Sequence, residues 1–162
     1  MIYLDTSVFY HAYCPFEDSK SSDWILDELL AEYPGITSEW TIIEMVRALK
    51  KQVNLDRLTE DAATTTLDFF LSEIFDMAKR SQLELNPVSL ADIIAARTHI
   101  FSSNLYSADA LHWQVAIASR AKAFITFDSH FEGISKKYGL LLGDPKDAGF
   151  QEKLAIHLAK GK

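Results

Sequence analysis

Four carboxylates, Asp5, Glu44, Asp109 and Asp128, are the residues of this sequence best suited to do chemistry. Asp5 and Asp128 each follow a short apolar segment that is typical of a β-strand, whereas Glu44 and Asp109 lie in segments of helical periodicity. A parallel α/β fold can bring all four side chains into one anionic pocket. Because hard divalent cations bind carboxylate and water oxygens, such a pocket would suit Mg²⁺ or Mn²⁺.

Each of these acids also has an ordinary structural explanation. Asp5 and Asp128 could be turn or helix-capping residues, which are common after strands. Glu44 could face solvent and pair with Arg47, and Asp109 could simply interact with the dipole of its helix. If the first and fourth strands are neighbours, however, Asp5 and Asp128 meet where the strand order reverses. This pairing favours a functional site.

The apolar patterns predict alternating strands and helices. Strands are predicted at Met1–Leu4, Ile36–Ser38, Leu83–Val88, Ala123–Phe127 and Leu140–Leu142. Helices are predicted after the capping segment Asp5–Ser7 and at about Trp24–Tyr33, Glu39–Val53, Leu58–Met77, Ala91–Phe101, Ser107–Arg120 (capped by Ser107), Phe131–Lys137 and Gln151–Ala159. The alternation predicts an α/β fold, namely a doubly wound parallel sheet of about five strands with helices on both faces.

Helical spacing also predicts which side of two helices is buried. In the Glu44 helix, the predicted core stripe is Ile42, Val46, Leu49 and Val53, and the opposite face carries Trp40, Glu44, Arg47 and Lys51. In the helix after Ser107, the predicted core stripe is Ala108, Leu111, Val115 and Ala118, and the other side carries Asp109, Trp113, Ala116 and Arg120. Both acids are therefore expected on faces that point away from the core.

Composition narrows the class of protein. The 162 residues are 48% hydrophobic, which is enough for one full core, so we expect a single domain over residues 1–162. The net charge of −7 and the pI of about 5.1 argue against a broad basic surface for coating nucleic acid. The single Cys14 excludes an internal disulfide, and the chain shows neither a signal peptide nor a membrane-spanning stretch. We therefore expect a soluble cytoplasmic protein.

Other chemical motifs are weak or absent. Neither G-x-x-x-x-G-K-[ST] nor G-x-G-x-x-G occurs, which excludes the common nucleotide-binding loops. The five histidines have no metal-binding spacing, so no zinc site is expected. His112, one turn from Asp109, is more typical of a core or surface residue than of a group that supports a metal ligand. Phe69, Phe70 and Phe75 are most simply core residues, although they would also suit a dimer or partner groove.

Four segments of the chain resemble the acidic motifs of PIN-domain ribonucleases. They are Tyr3-Leu4-Asp5-Thr6-Ser7, Ile43-Glu44-Met45-Val46-Arg47, Ser107-Ala108-Asp109-Ala110-Leu111-His112 and Phe124-Ile125-Thr126-Phe127-Asp128. Their order and separations are also similar, and the resemblance extends from Ile2 to about Gly143. It is closest to the VapC-type toxins and their single-domain prokaryotic relatives. The chain departs from many of them in its extra helical length around Thr59–Lys79 and in its acidic balance.

This resemblance implies an endoribonuclease that depends on Mg²⁺ or Mn²⁺ and cleaves single-stranded RNA. The catalytic and metal-binding residues that it implies are Asp5, Glu44, Asp109 and Asp128, with Asp5 and Asp109 expected to bind the metal directly. Thr6, Ser7 and Thr126 would supply hydroxyl contacts, and Arg47 would contact a phosphate or pair with Glu44.

The resemblance further implies the toxin of a toxin–antitoxin pair, with an antitoxin protein as partner, and we expect a homodimer. Two alternatives are open. One is a non-catalytic PIN-like interaction module. The other is a different phosphate-processing hydrolase on a similar α/β fold, such as a haloacid-dehalogenase-type phosphatase, although Asp5-Thr6-Ser7 lacks the second Asp of the D-x-D motif that such an enzyme needs.

Overall fold

One parallel sheet organises the computed structural model, which describes residues 1–131, 134 and 138–159. Its strands are β1 (Ile2–Leu4), β2 (Gly35–Ser38), β3 (Leu83–Asn86), β4 (Ala123–Ile125) and β5 (Leu141–Gly143). They pair in parallel in the order β3-β2-β1-β4-β5. From β1 the sheet extends through β2 to β3 on one side, and β4 and β5 lie on the other side of β1. The predicted doubly wound α/β fold is confirmed, with its reversal between β1 and β4.

The helices are α1 (Thr6–Tyr13), α2 (Lys20–Asp23), α3 (Leu30–Glu32), α4 (Trp40–Asn54), α5 (Glu60–Lys79), α6 (Leu90–Ser103), α7 (Ser107–Ala118) and α8 (Ala148–Ala159). A π-helix, Trp24–Leu29, joins α2 to α3, and a 3₁₀ turn covers Ser129–Phe131. The helix predicted at Phe131–Lys137 falls outside the described residues, apart from Phe131 and Ile134. In the part of the chain that the structure describes, no helix is both long and apolar enough to cross a membrane.

Neighbouring residues of β1 face two separate hydrophobic cores, because side chains alternate along a strand. Ile2 and Leu4 pack in a core that also contains Phe9 of α1 and Phe70 of α5. Tyr3 points to the other face of the sheet, where it packs in a core with Trp113 of α7. Helices therefore cover both faces, and the carboxyl ends of the strands form an edge between these two layers.

The predicted core stripe of α4 was right for Leu49 and for Ile42, which packs against the core, but wrong for Val46 and Val53. The residues that α4 buries are Thr41, Met45, Leu49 and Gln52, whereas Val46 is 39% exposed. The reason is that Val46 and Val53 line an open groove between α4 and α5 instead of the sheet core. Glu44 is partly buried and does not face solvent freely.

The predicted burial of α7 was right for Val115 but wrong at three other positions. Trp113 and Ala116, expected on the outer side, are fully buried, and Ala118, expected in the core, is exposed. Since α7 packs against both the sheet and α6, it has more than one buried side. Ser107 does not cap the helix either, because Tyr106 is the N-cap residue and no side chain makes a capping bond.

The three phenylalanines of α5 separate into core and surface. Phe70 is buried, as expected for a core residue, whereas Phe69 and Phe75 are 57% and 47% exposed. The prediction that all three belong to the core was therefore wrong for two of them. Their exposure leaves apolar area on the outer side of α5.

Candidate functional site

The four acidic side chains line one cavity at the carboxyl ends of the strands. This cavity has a volume of about 860 Å³, and its lining includes Asp5, Glu44, Asp109 and Asp128. Each acid comes from a different segment: the end of β1, α4, the first turn of α7 and the loop after β4. The parallel sheet therefore brings together residues that are up to 123 positions apart in the sequence. Thr6, Ser7 and Arg47 line the same cavity, and Thr126 contacts it through Asp5.

Asp5 is held through one of its two carboxylate oxygens. Its Oδ2 accepts hydrogen bonds from Ser7 Oγ at 2.6 Å, from Thr126 Oγ1 at 2.8 Å and from the Ser7 backbone N–H at 3.3 Å. The last of these makes Asp5 the N-cap residue of α1, as the sequence predicted. Among the described residues nothing donates to Oδ1. The carboxylate is thus fixed in orientation and keeps one oxygen available for a ligand.

The hydroxyl groups that hold Asp5 also fix the loop that carries Asp128. Thr126 Oγ1 accepts a hydrogen bond from the Asp128 backbone N–H at 2.9 Å, and Ser7 Oγ accepts one from the Phe127 backbone N–H at 3.0 Å. Because β1 and β4 are direct neighbours, these contacts lie where the strand order reverses. Thr6, Ser7 and Thr126 were expected to supply hydroxyl contacts near the acids, and the structure places all three there.

Glu44 is held in the same way, by donors from two other segments. Its Oε2 accepts hydrogen bonds from Thr6 Oγ1 at 2.5 Å and from His112 Nε2. His112 is fully buried, and its Nδ1 lies 2.7 Å from Tyr3 Oη. With the Tyr3 hydroxyl donating to Nδ1, the ring proton resides on Nε2 and points at Glu44.

Charge and burial act in opposite directions on the Glu44–His112 pair. Burial raises the pKa of Glu44, but the hydrogen bonds from His112 and Thr6 lower it by more, so the carboxyl ionises below its usual range. Burial lowers the pKa of His112, and the contact with Glu44 together with the charges of Asp5 and Asp109 raises it to a net value above normal. Glu44 is therefore kept as a carboxylate.

Asp109 is the acid that is most affected by its neighbours. Burial, followed by the negative charges of Asp5, Asp128 and Glu44, raises the pKa of Asp109 to about 6. The part of the shift that comes from the other three acids reflects their proximity to Asp109. An isolated acid at a helix N-terminus would instead have a lowered pKa, because the helix dipole favours the ionised form.

Asp109, Asp128 and His130 form the tightest group of possible metal ligands in the described part of the chain. One ligand atom from each lies within 4.8 Å of the other two. His130 also contacts Asp128 directly, with its backbone N–H at 2.8 Å and its Nδ1 at 2.9 Å from Asp128 Oδ1. With Asp5 and Glu44 on the same cavity, the donor set consists mainly of carboxylate oxygens. This chemistry fits a hard divalent cation.

A family comparison accounts for this arrangement. The family model of the PIN domain matches residues 2–137. The chain belongs to the PIN domain family. No curated protein sequence matches this PIN domain significantly.

Solved structures of similar fold include three from different organisms. VapBC2 from Rickettsia felis, bound to a DNA fragment from its promoter, has a TM-score of 0.60 and 23% identity, covering 89% of this chain and 98% of that chain. A toxin–antitoxin complex from Klebsiella pneumoniae has a TM-score of 0.58 and 16% identity, with coverages of 90% and 98%. FitAcB from Neisseria gonorrhoeae has a TM-score of 0.58 and 16% identity, with coverages of 90% and 99%. At these identities the similarity establishes the fold alone.

Two cations of this PIN domain also line the cavity. Arg47 and Lys51 follow Glu44 at helical spacing on one face of α4. The alternative in which Arg47 pairs with Glu44 was wrong, because Glu44 bonds to Thr6 and His112 instead. Neither cation forms a salt bridge with any residue that the structure describes.

Some residues of the site were missed or undervalued in the sequence. His112 had one signal, its position one turn after Asp109, but a lone histidine on a helix is usually structural. His130 had a similar signal in its spacing from Asp128. The contribution of Tyr3 to the site had no signal, because it depends on the packing of α7 against the sheet.

Proposed function

We propose that this PIN domain is an endonuclease that cleaves single-stranded RNA with the help of Mg²⁺ or Mn²⁺, and that it is the toxin of a toxin–antitoxin pair. The observation that carries the proposal is the convergence of Asp5, Glu44, Asp109 and Asp128 on one open cavity. The raised pKa of Asp109 supports it, since burial and then the charges of the other three acids raise this pKa, and an isolated capping acid would lack those charges.

In this proposal the four acids are the catalytic and metal-binding residues. Asp109 and Asp128 would hold the ion together with Asp5 and Glu44, directly or through water, because Mg²⁺ usually retains several waters. A bound divalent ion supplies an activated water and neutralises charge on the phosphodiester.

The neighbouring residues orient two of these acids. Ser7 and Thr126 fix one oxygen of Asp5, and Thr6 and His112 fix one oxygen of Glu44, so each acid presents its other oxygen to the cavity. Arg47, which has no carboxylate partner in the described structure, would contact a phosphate of the RNA. Such prior orientation reduces the reorganisation needed when substrate binds.

The partners are part of the same proposal. Two of the similar structures are VapBC2 and a toxin–antitoxin complex, which supports an antitoxin as partner of this chain. The proposal places both proteins in the cytoplasm. Its apolar segment would lie in the groove between α4 and α5, which has a volume of about 200 Å³ and is lined by Val46, Val53 and Leu67. A basic side chain of the antitoxin would enter the acidic cavity. The exposed face of α6, with Ile93, Ile94 and Phe101, would suit a second copy in a homodimer.

Cleavage of a labelled single-stranded RNA by the purified protein tests the proposal. We expect cutting with Mg²⁺ or Mn²⁺, none in EDTA, and its loss in Asp5→Asn and Asp109→Asn, while both variants keep a native circular dichroism spectrum. Asp68→Asn, an exposed acid of α5, is the matched control and should cut normally. Equal cleavage in EDTA, or persistent cleavage by both active-site variants, would refute the assignment.

A further inference from the structure

An exposed aromatic ring lines the same cavity as the four acids. Tyr106 is the N-cap residue of α7, three positions before Asp109, and it is 69% exposed. Its ring meets the ring of His130 edge to face, with centroids 5.3 Å apart and an interplanar angle of 81°. This contact fixes the position of the tyrosine ring while most of its surface stays open. A held, open aromatic face is what a nucleobase needs for stacking.

The α4 side of the cavity carries the complementary charge. Glu44, Arg47 and Lys51 are separated by three and then four residues, so they share one face of the helix. At about 1.5 Å of rise per residue, Lys51 lies roughly 10 Å along the axis from Glu44, with Arg47 in between. Arg47 and Lys51 have no salt-bridge partner among the described residues, so these two cations beside four carboxylates would offset the repulsion that the acids exert on a phosphate backbone.

We infer that a single-stranded nucleotide chain crosses this cavity with one base stacked on Tyr106 and with flanking phosphates on Arg47 and Lys51. This inference rests on the proposed function and adds its substrate-binding residues. Stacking on an aromatic ring is tolerant of base identity, and lysine contacts carry no sequence information. The site therefore binds single strands with little sequence preference of its own. A base in a duplex is already stacked and cannot use Tyr106 in this way.

The inference predicts different effects for the two kinds of contact. Binding of a short fluorescein-labelled single-stranded RNA is measured by anisotropy at several salt concentrations, in the Asp5→Asn background with Mg²⁺ present, so that the probe is not cut. Tyr106→Ala should weaken binding about tenfold without changing the salt dependence, and Tyr106→Phe should restore it. Arg47→Gln and Lys51→Gln should each reduce the slope of log K against log salt by about 0.7, the value for one lost phosphate contact on a single strand.

The chain offers a matched control for each substitution. Lys50 is the neighbour of Lys51, but it pairs with Glu60 at 2.7 Å and lies outside the cavity, so Lys50→Gln should leave the slope unchanged. Phe16 is 52% exposed and also lies outside the cavity, so Phe16→Ala should leave the affinity unchanged. Thermal melts of all variants exclude a general loss of folding.

The outcomes separate this inference from the proposed function. No binding of the RNA, or equal affinity of the Tyr106→Ala and Phe16→Ala variants, would overturn the inference. The second result would leave Tyr106 available for a protein partner. In the native Asp5 background, Tyr106→Ala should raise KM with little change in kcat. An unchanged KM alongside normal cleavage would overturn the binding site and leave the endonuclease standing. RNA that is bound with these dependences but never cut would refute the endonuclease and support the binding site.

Discussion

Replacing Asp109 with Asn is expected to stabilise the metal-free protein, because it removes one of four converging negative charges with almost no change in size. The pKa of Asp109 is raised from 3.8 to about 6 by burial and by the charges of the other acids. One pKa unit corresponds to about 1.36 kcal/mol, so the full shift would correspond to about 3 kcal/mol. Asp109 is only partly buried, and solvent screening reduces this to about 1–1.5 kcal/mol.

One opposing effect has to be subtracted. Asp109 lies in the first turn of α7, where a negative charge gains about 0.3–1 kcal/mol from the helix dipole. The net expectation for Asp109→Asn without metal is therefore a free energy of unfolding that is equal to wild type or higher by up to about 1 kcal/mol. A helix-capping or dipole-stabilising role alone would give the opposite sign.

The pH dependence follows from the same shift. Between 3.8 and about 6 the folded protein binds more protons at Asp109 than the unfolded protein, so this residue makes stability fall as the pH rises through that window. The advantage of the Asn variant should therefore be largest above pH 6 and should disappear near 3.8. Urea unfolding in EDTA at pH values at both ends of this window measures the difference in free energy of unfolding between the variant and the wild type. Asp68→Asn is the control for removing an exposed acid.

Metal should reverse the order of the two proteins. An ion that binds only the folded state adds about 2.7 kcal/mol at a hundredfold excess over its Kd. For a chain of this size, this corresponds to a rise in Tm of roughly 5–10 °C for the wild type. The Asn variant, which lacks one ligand charge, should rise much less, so that the two melting curves cross. An Asn variant that is less stable in EDTA, with a wild type indifferent to Mn²⁺, would refute the reasoning and make Asp109 a structural acid.

Two further predictions concern the supports of the site and the fold. His112→Leu leaves Glu44 and Tyr3 without their buried hydrogen-bond partner and should lower the free energy of unfolding in urea by about 2–3 kcal/mol. His112→Gln still carries a donor and should lose less stability. Equal losses in the two variants would mean that only the volume of the side chain matters. Gly143→Ala would place a methyl group 2.2 Å from Cδ2 of the buried Phe150. This clash should lower the free energy of unfolding by about 1–3 kcal/mol. An unchanged Tm would show that α8 does not pack firmly on β5.

The sequence was sufficient to predict the convergence of the acids, because that depends on topology. Asp5 follows β1, and Asp128 lies just beyond β4, so their meeting needs only that β1 and β4 pair, which doubly wound sheets commonly provide. Glu44 and Asp109 then follow from their positions near the starts of α4 and α7. All four acids could therefore be assigned to one site before any side-chain packing was known.

The hydrogen-bond partners could not be predicted, because they depend on burial that amphipathic spacing does not reveal. A helical wheel assumes one buried stripe, but α7 is enclosed by the sheet and α6, which hides Trp113 and His112 on different sides of the helix. Rotating α4 by about one residue relative to its predicted stripe also brings Thr41 inward, where its Oγ1 lies 2.8 Å from that of Thr37. These hydrogen bonds depend on how α4 and α7 pack in the folded protein, which the spacing of apolar residues in the sequence does not determine.

The choice of supporting groups bears on what the cavity binds. Asp5 is fixed by the neutral hydroxyls of Ser7 and Thr126, which orient its carboxylate without cancelling its charge. A lysine or arginine in their place would have formed an internal ion pair and left the cavity close to neutral. Asp109 has no lysine or arginine partner among the described residues, and burial together with the charges of Asp5, Asp128 and Glu44 raises its pKa. The four acids of the cavity outnumber its two cations, Arg47 and Lys51. This excess of negative charge favours a ligand that brings positive charge with it, and a divalent cation does so most compactly.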